Sequence, residues 1–281
     1  LKIAFVNQPW NTVTIPVEIG SIAIWNYEVA RRLALDHDVV VYAKRDPGQP
    51  RLESDQGVEY RRFALTGDLW VQKLARRIPL DLVKSALGFQ GPWYCREYIL
   101  QIASDARRRK YDVIHVHNFS QFVPVVRAFN PSSKIVLHMH CEWLTQFRRG
   151  PVTRRIKKAD GIVGCSGYIT HTIRRAFPMQ SCKCRAIENG VNLEDFVSPV
   201  AENKTGNKEP TILFVGRVSP EKGVHVLLDA FRRVLEHHPT ARLEIVGPLG
   251  AAPREFILDR MDDPKALALH PLFEGDYPAS L

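Results

Sequence analysis

The sequence contains no run of about eighteen uncharged apolar residues, the length a membrane-spanning helix needs. Its opening Lys2-Ile3-Ala4-Phe5-Val6 reads as a strand, without the basic and apolar regions of a signal peptide. Neither export nor membrane insertion is expected. Cysteine is scarce: five residues, odd in number and scattered, at Cys95, Cys141, Cys165, Cys182 and Cys184. Only the last two are close, and a Cys-Lys-Cys pair has neither zinc-ligand nor redox spacing. A reducing cytoplasm fits them best. No Gly-x-Gly-x-x-Gly follows any strand-like run, which argues against a dinucleotide-dependent dehydrogenase. Internal repeats and low-complexity segments are also missing.

What is there is ordinary globular usage, 45% hydrophobic and 25% charged, over 281 residues, enough for two domains. The net charge of +9 concentrates anions of any kind near the surface, whether nucleic acid, anionic membrane or phosphorylated small molecules. The basic runs Arg31-Arg32, Arg76-Arg77, Arg107-Arg108-Arg109-Lys110, Arg148-Arg149, Arg154-Arg155 and Lys157-Lys158 are dispersed along expected helices. They lack the interleaved stacking aromatics of a single-strand binder, so nucleic acid is not an expected partner. Most read as solvated helix faces; a minority could lie on anionic lipid at the inner face of a membrane.

Short β-branched runs at about 2–6, 39–43, 58–63, 112–117, 134–140, 161–165 and 184–188 alternate with helix-length stretches such as 21–35 and 95–110. That rhythm predicts α/β architecture with parallel sheets covered by helices. Ile22, Trp25, Val29 and Leu33 follow helical spacing and predict one face of the first helix packed on the sheet. The polar, aperiodic segment 196–210 predicts a linker between a domain at 1–195 and a partial one at 211–281. In the latter a strand at 211–215, a helix at 221–237, a strand at 242–246, a helix near 253–262 and a strand at 267–273 are expected.

The most informative segment is Phe214-Val215-Gly216-Arg217-Val218-Ser219-Pro220-Glu221-Lys222-Gly223. A strand ends at a glycine, a cation follows, and a helix is expected to carry Lys222 in its first turn. Gly216 permits close backbone approach, while Arg217 and Lys222 near a helix N-terminus suit a diphosphate. On the residues alone, a tight turn with two exposed cations is an equal reading.

This segment resembles the Gly-Arg, Glu-Lys-Gly signature of the retaining GT-B glycosyltransferases of family 4, also called glycosyl transferase group 1. Tyr111-Asp112-Val113-Ile114-His115-Val116-His117 resembles that family's Asp-x-x-His-x-His strand end. Ala159-Asp160-Gly161-Ile162-Val163-Gly164-Cys165-Ser166 and Ile187-Glu188-Asn189-Gly190-Val191-Asn192 match two further pieces in the same order, though Asn192 stands where the family has aspartate. The resemblance implies two Rossmann-like doubly wound domains, the second incomplete. It implies transfer of a sugar, with retention, from a nucleotide diphosphate sugar to a lipid, saccharide or other acceptor in polysaccharide or glycolipid biosynthesis. It also implies no metal and no cofactor.

Carried onto this sequence, the resemblance makes His117, Arg217 and Lys222 catalytic, the two cations stabilising the leaving diphosphate. Gly216, with Gly20 in the glycine loop, would border the donor phosphates. Ser21, His140 and Glu142 would meet the acceptor; Ser21 as a helix cap is the competing reading. Asp160 and Ser166 are expected to be structural, and Gly190 to meet a conformational requirement of its turn. His115 and His117 share a strand face, as do His138 and His140. Four histidines at neighbouring strand ends could also ligate zinc in a metal-dependent hydrolase, but hydrogen-bonded strand-end histidines are the simpler reading of the second pair. A non-catalytic scaffold descended from a glycosyltransferase is the other alternative. The segment 64–94, with Trp70, Phe89, Trp93 and Tyr94, reads as an acceptor lid, a lipid-facing surface or a packed excursion.

The chain starts at Leu1 and ends before the family's Glu-x7-Glu carboxylates. The expectation is a fragment or truncation with impaired turnover, whose incomplete second sheet presents an edge for a partner chain to cover.

Overall fold

The computed structural model describes residues 1–10, 12–15, 17, 20–75, 86–193 and 210–247. The expected helix near 253–262, the strand at 267–273, nearly all of the linker at 196–210 and part of 64–94 lie outside them. The chain divides into two compact units, Leu1–Val197 and Ser198–Leu281.

The first unit runs β1 (Lys2–Val6), α1 (Ser21–Leu33), β2 (Asp38–Lys44), β3 (Leu52–Asp55), β4 (Val58–Phe63), α2 (Thr66–Ala75), α3 (Arg96–Arg109), β5 (Val113–His117), α4 (Val123–Phe129), β6 (Lys134–Met139), α5 (Trp143–Gln146), α6 (Arg149–Ile156), β7 (Gly161–Gly164), α7 (Gly167–Ala176) and β8 (Cys184–Ala186). These strands form one sheet in the order β3-β4-β2-β1-β5-β6-β7-β8. Every pair is parallel except β3–β4. The β3 edge was not expected from the sequence. Leu52-Glu53-Ser54-Asp55 is mostly polar, and its pairing follows from the two-residue turn Gln56-Gly57, both at positive φ as such hairpins require.

The central strands are apolar because both faces are covered. On one face Ala4, Val6, Ile114, Val116, Ile135, Leu137 and Met139 pack with residues of α3 and α4 in the larger core cluster. On the other, Ile3, Phe5, Val39 and Val41 pack with Ala23 and Ala30 of α1, and Trp25, Val29 and Leu33 lie against them. The predicted inward face of α1 is only partly the observed one: Ile22 is buried and Trp25, Val29 and Leu33 are half-buried, while the deepest residues are Ala23, Asn26 and Ala30.

Two charged groups fasten the frame. Asp68 of α2 is buried, and its carboxylate accepts the Glu97 and Tyr98 N–H groups at 2.9 and 2.8 Å. A neighbouring helix therefore supplies the cap that Cys95, the residue preceding α3, does not. Arg127 binds the Pro131, Ser133 and Lys158 carbonyls and pairs with Asp160, which also accepts the Ile135 N–H at 2.7 Å. Ser166 caps α7 by accepting the Ile169 N–H. Both Asp160 and Ser166 are structural, as expected.

In the second unit β9 (Thr211–Val215) and β10 (Arg242–Val246) pair in parallel around α8 (Val224–His237). Val218, Val224, Leu228 and Ile245 form its described core. Among the described residues no helix is long and apolar enough to cross a membrane.

Candidate functional site

In an open parallel sheet the binding crevice lies beyond the strand carboxyl ends where the strand order reverses. Here that point falls between β1 and β5, since β2 and β4 lie to one side of β1 and β5 to β8 to the other. The chain leaves β1 through Asn7 and Gln8 and leaves β5 through His117 and Asn118, all four buried.

Register determines what meets there. Phe5 pairs with His115, His115 with Val136, and His117 with His138. Since strand side chains alternate with period two, His115, His117, His138 and His140 all fall on the α1 face. The Nδ1 of His117 lies 2.9 Å from Nε2 of His140, and the Nδ1 of His138 lies 3.1 Å from Nε2 of His115. The Trp25 ring lies against all four, with centroid separations of 5.7, 5.1, 5.0 and 5.8 Å to His115, His117, His138 and His140.

Burial disfavours the charged form of an imidazole, and four close imidazoles disfavour it further. His115 is pushed down to about 3 by burial and His140, and His138 to about 2 by burial, His140 and His115. Burial alone takes His140 to about 4, and burial with its three neighbours holds His117 well below the usual histidine range. All four are neutral at pH 7. His117 and His138 are each 1% exposed and their Nε2 atoms have no hydrogen-bond partner, whereas His115 and His140 are half-buried. Ligand atoms of His115, His117 and His138 lie within 4.8 Å of one another, so this trio could hold a metal ion. Zinc needs imidazole nitrogens at about 2.0–2.1 Å, and the two nitrogen–nitrogen contacts within the layer would have to be given up.

His117, expected to face the sugar, therefore sits inside the layer, and His140 is its more accessible partner. Asn118, not singled out in the sequence, adopts φ 57, accepts the His140 N–H at 2.7 Å and donates its own N–H to the His138 carbonyl at 2.8 Å. Asparagine tolerates the left-handed region better than most residues, which is the signal its position carried. Glu142 is half-buried, and its carboxylate accepts the Tyr168 hydroxyl at 2.8 Å. Trp143 joins an aromatic cluster with Trp10, Phe89, Phe119 and Phe147, at centroid separations of 5.5, 4.8, 6.0 and 6.3 Å.

Gly20 precedes α1 at φ 86, a left-handed value that glycine takes freely. It occupies the cap position itself, so the capping reading of Ser21 is corrected: Ser21 is the first helical residue, and Gly20 has no side chain with which to cap α1. Ser21, Trp25, Glu28 and Arg32 face Asn189 to Asn192 across a groove of about 380 Å³, in which Arg32 donates to the Asn192 side chain at 3.1 Å. Gly190 is not among the residues with positive φ, and a Cβ there would meet open space. The conformational requirement expected of it is not found.

In the second unit Arg217 and Lys222 are both exposed on the connection after β9. Lys222 ends a short 3-10 turn, Pro220–Lys222, and α8 begins only at Val224 after Gly223 at φ 72. Pro220 starts the tighter turn, so the lysine precedes the helix instead of lying in its first turn. Gly216 donates its N–H to the Val246 carbonyl at 2.9 Å. A Cβ at Gly247 would run into the Gly216 carbonyl, so it is the glycine after β10, unremarked in the sequence, that lets the two strand ends approach.

Comparison with known proteins bears on the family and the fold. The pattern described as Glycosyltransferase Family 4 matches residues 22–195, and that described as Glycosyl transferases group 1 matches residues 200–266. The Bacillus subtilis (strain 168) protein YtcC, named as a glycosyltransferase, is 28% identical over 266 residues, 88% of this chain and 56% of its own length. The lipopolysaccharide 1,2-N-acetylglucosaminetransferase of Salmonella typhimurium is 24% identical over 262 residues, 88% of this chain and 60% of its own. The chain thus spans little more than half the length of these relatives. In fold it resembles HepE of Anabaena, solved with UDP and glucose, at a TM-score of 0.58 and 16% identity over 92% of this chain and 64% of that one. Its first pattern covering more than half of its residues, and its parallel sheet shared with solved GT-B enzymes, the chain belongs to glycosyltransferase family 4.

Proposed function

We propose that the protein of which these residues are part transfers a sugar, with retention and without a metal, from a nucleotide diphosphate sugar to a saccharide or lipid acceptor. The observation that carries this reading is the connection after β9. Gly216 follows a parallel strand, and Arg217 and Lys222 stand exposed on the short segment before α8. Two cations at the carboxyl end of such a strand suit a leaving diphosphate, whose developing charge they would stabilise. A relative named for N-acetylglucosamine transfer and a neighbour solved with UDP and glucose support the same class of donor. Gly20 would border the donor phosphates, and Ser21, His140 and Glu142 the acceptor. His117 would act through His140, its hydrogen-bonded neighbour.

The +9 charge and the exposed Leu69, Trp70, Val71 and Leu74 of α2 suit a peripheral position on an anionic, cytoplasmic membrane face. The test of the central claim is calorimetric titration with UDP and GDP, with and without Arg217→Ala. Binding of one nucleotide that the substitution abolishes supports the reading and identifies the base. Binding of neither nucleotide, or binding indifferent to Arg217, would overturn it.

A further inference from the structure

The first unit contains a cavity of about 570 Å³ that none of the residues above explains. Arg96, Arg148, Arg154, Arg155 and Lys158 line it, and among the described residues no aspartate or glutamate does. Nor does any described carboxylate form an ion pair with these five. Arg154 and Arg155 lie in the last turn of α6, where cations are favoured by the helix dipole. Arg148 precedes that helix and Arg96 begins α3, so the convergence comes from separate elements and not from one helix end.

Arg155 is 8% exposed and donates to the Gln90 carbonyl at 2.7 Å, which positions a guanidinium in the wall. Arg96 lies over the Trp93 ring at 5.5 Å. Keeping five cations together with no described carboxylate among them is unfavourable unless an anion joins them. A second feature identifies the anion further. Gln121 lines the same cavity and is 4% exposed; its amide nitrogen donates to the Phe89 carbonyl at 3.1 Å, and its Oε1 is buried with no donor. An unsatisfied acceptor calls for a hydroxyl, not for a second anion.

We propose that this cavity binds a phosphorylated sugar or polyol, its phosphate held by Arg148, Arg154, Arg155 and Lys158 and a hydroxyl donated to Gln121. This binding does not rest on the transferase reading, because the cavity lining includes none of Ser21, His140 and Glu142. Such a group occurs free or as a lipid headgroup, and the probes separate the two: glucose 6-phosphate for the first, dioctanoyl phosphatidylglycerol for the second, with glucose as the control lacking phosphate.

Calorimetry on the full chain should show one or both phosphorylated probes binding about tenfold or more tightly than glucose. Arg148→Ala combined with Lys158→Ala, both exposed positions, should weaken that binding about tenfold or more while circular dichroism stays unchanged. Gln121→Met should weaken glucose 6-phosphate and leave inorganic phosphate unaffected. Arg217→Ala should change none of these values, which separates this site from the donor site. Failure of both probes to bind, indifference to the Arg148 and Lys158 substitutions, or loss on Arg217→Ala would each overturn the proposal.

Discussion

The Nδ1 of His117, the last residue of β5, lies 2.9 Å from the Nε2 of His140, just beyond the end of β6, with His115 and His138 paired in the same layer. Acid must break this arrangement. Unfolded histidines take up protons below about 6.5, whereas the folded ones, depressed to about 3 for His115, about 2 for His138 and about 4 for His140, do not. The unfolded state then holds more protons, so stability rises with pH in this window and falls as pH drops from 6.5 towards 4. The expected slope is about 1.4 kcal/mol per pH unit for each titrating histidine. Urea midpoints between pH 7.5 and 5 should decline steeply; a flat profile across that range would rule out a neutral layer.

Asp68→Ala removes the carboxylate that receives the Glu97 and Tyr98 N–H groups. Losing such a cap costs about 0.5–2 kcal/mol, and two donors, the Tyr98 one buried, are orphaned here. Hydrogen exchange at Glu97 and Tyr98 should accelerate more than exchange at the middle of α3. Uniform change along the helix would point to a different role for Asp68.

Asn118 combines a left-handed backbone with a side-chain bond to the His140 N–H. Alanine loses both advantages and glycine loses only the bond. Asn118→Ala is therefore expected to destabilise by about 1–3 kcal/mol, and Asn118→Gly by less. Thermal denaturation giving the reverse order would contradict the assignment of backbone strain.

Gly247→Ala should disturb the Gly216 strand end, because the new methyl group meets the Gly216 carbonyl backbone. The expected result is loss of whatever nucleotide binding the second unit supports while the first unit melts unchanged. Undiminished binding in this variant would mean that the close approach is not needed.

Much of the frame could be read from the sequence because buried parallel strands are apolar throughout: β2 was expected at 39–43 and spans Asp38–Lys44. The polar β3 could not, since its strand character comes from pairing with β4. Helix α8 starts three residues later than expected, because Pro220 and Gly223 make a tighter turn first. Each His-x-His pair was visible as a one-face pattern. That the two pairs share one layer depends on the His117–His138 register, and Trp25 against them depends on how α1 docks; neither is a property of one segment. Trp10 and Gly247 were overlooked for the same reason, their partners being distant in sequence.

The place of β1 in the middle of its sheet bears on how the chain is made. Its partner β2 follows closely, but its other neighbour is β5, and the Lys2 N–H meets the Asp112 carboxylate 110 positions further on. On a ribosome the early strands can collapse against α1 well before β5 is synthesised, leaving one side of β1 with open backbone groups during that interval. Closure across so long a loop makes β1–β5 pairing a late and slow event. A nascent chain stalled before residue 113 should therefore bind chaperones and aggregate more readily than one that has released β5.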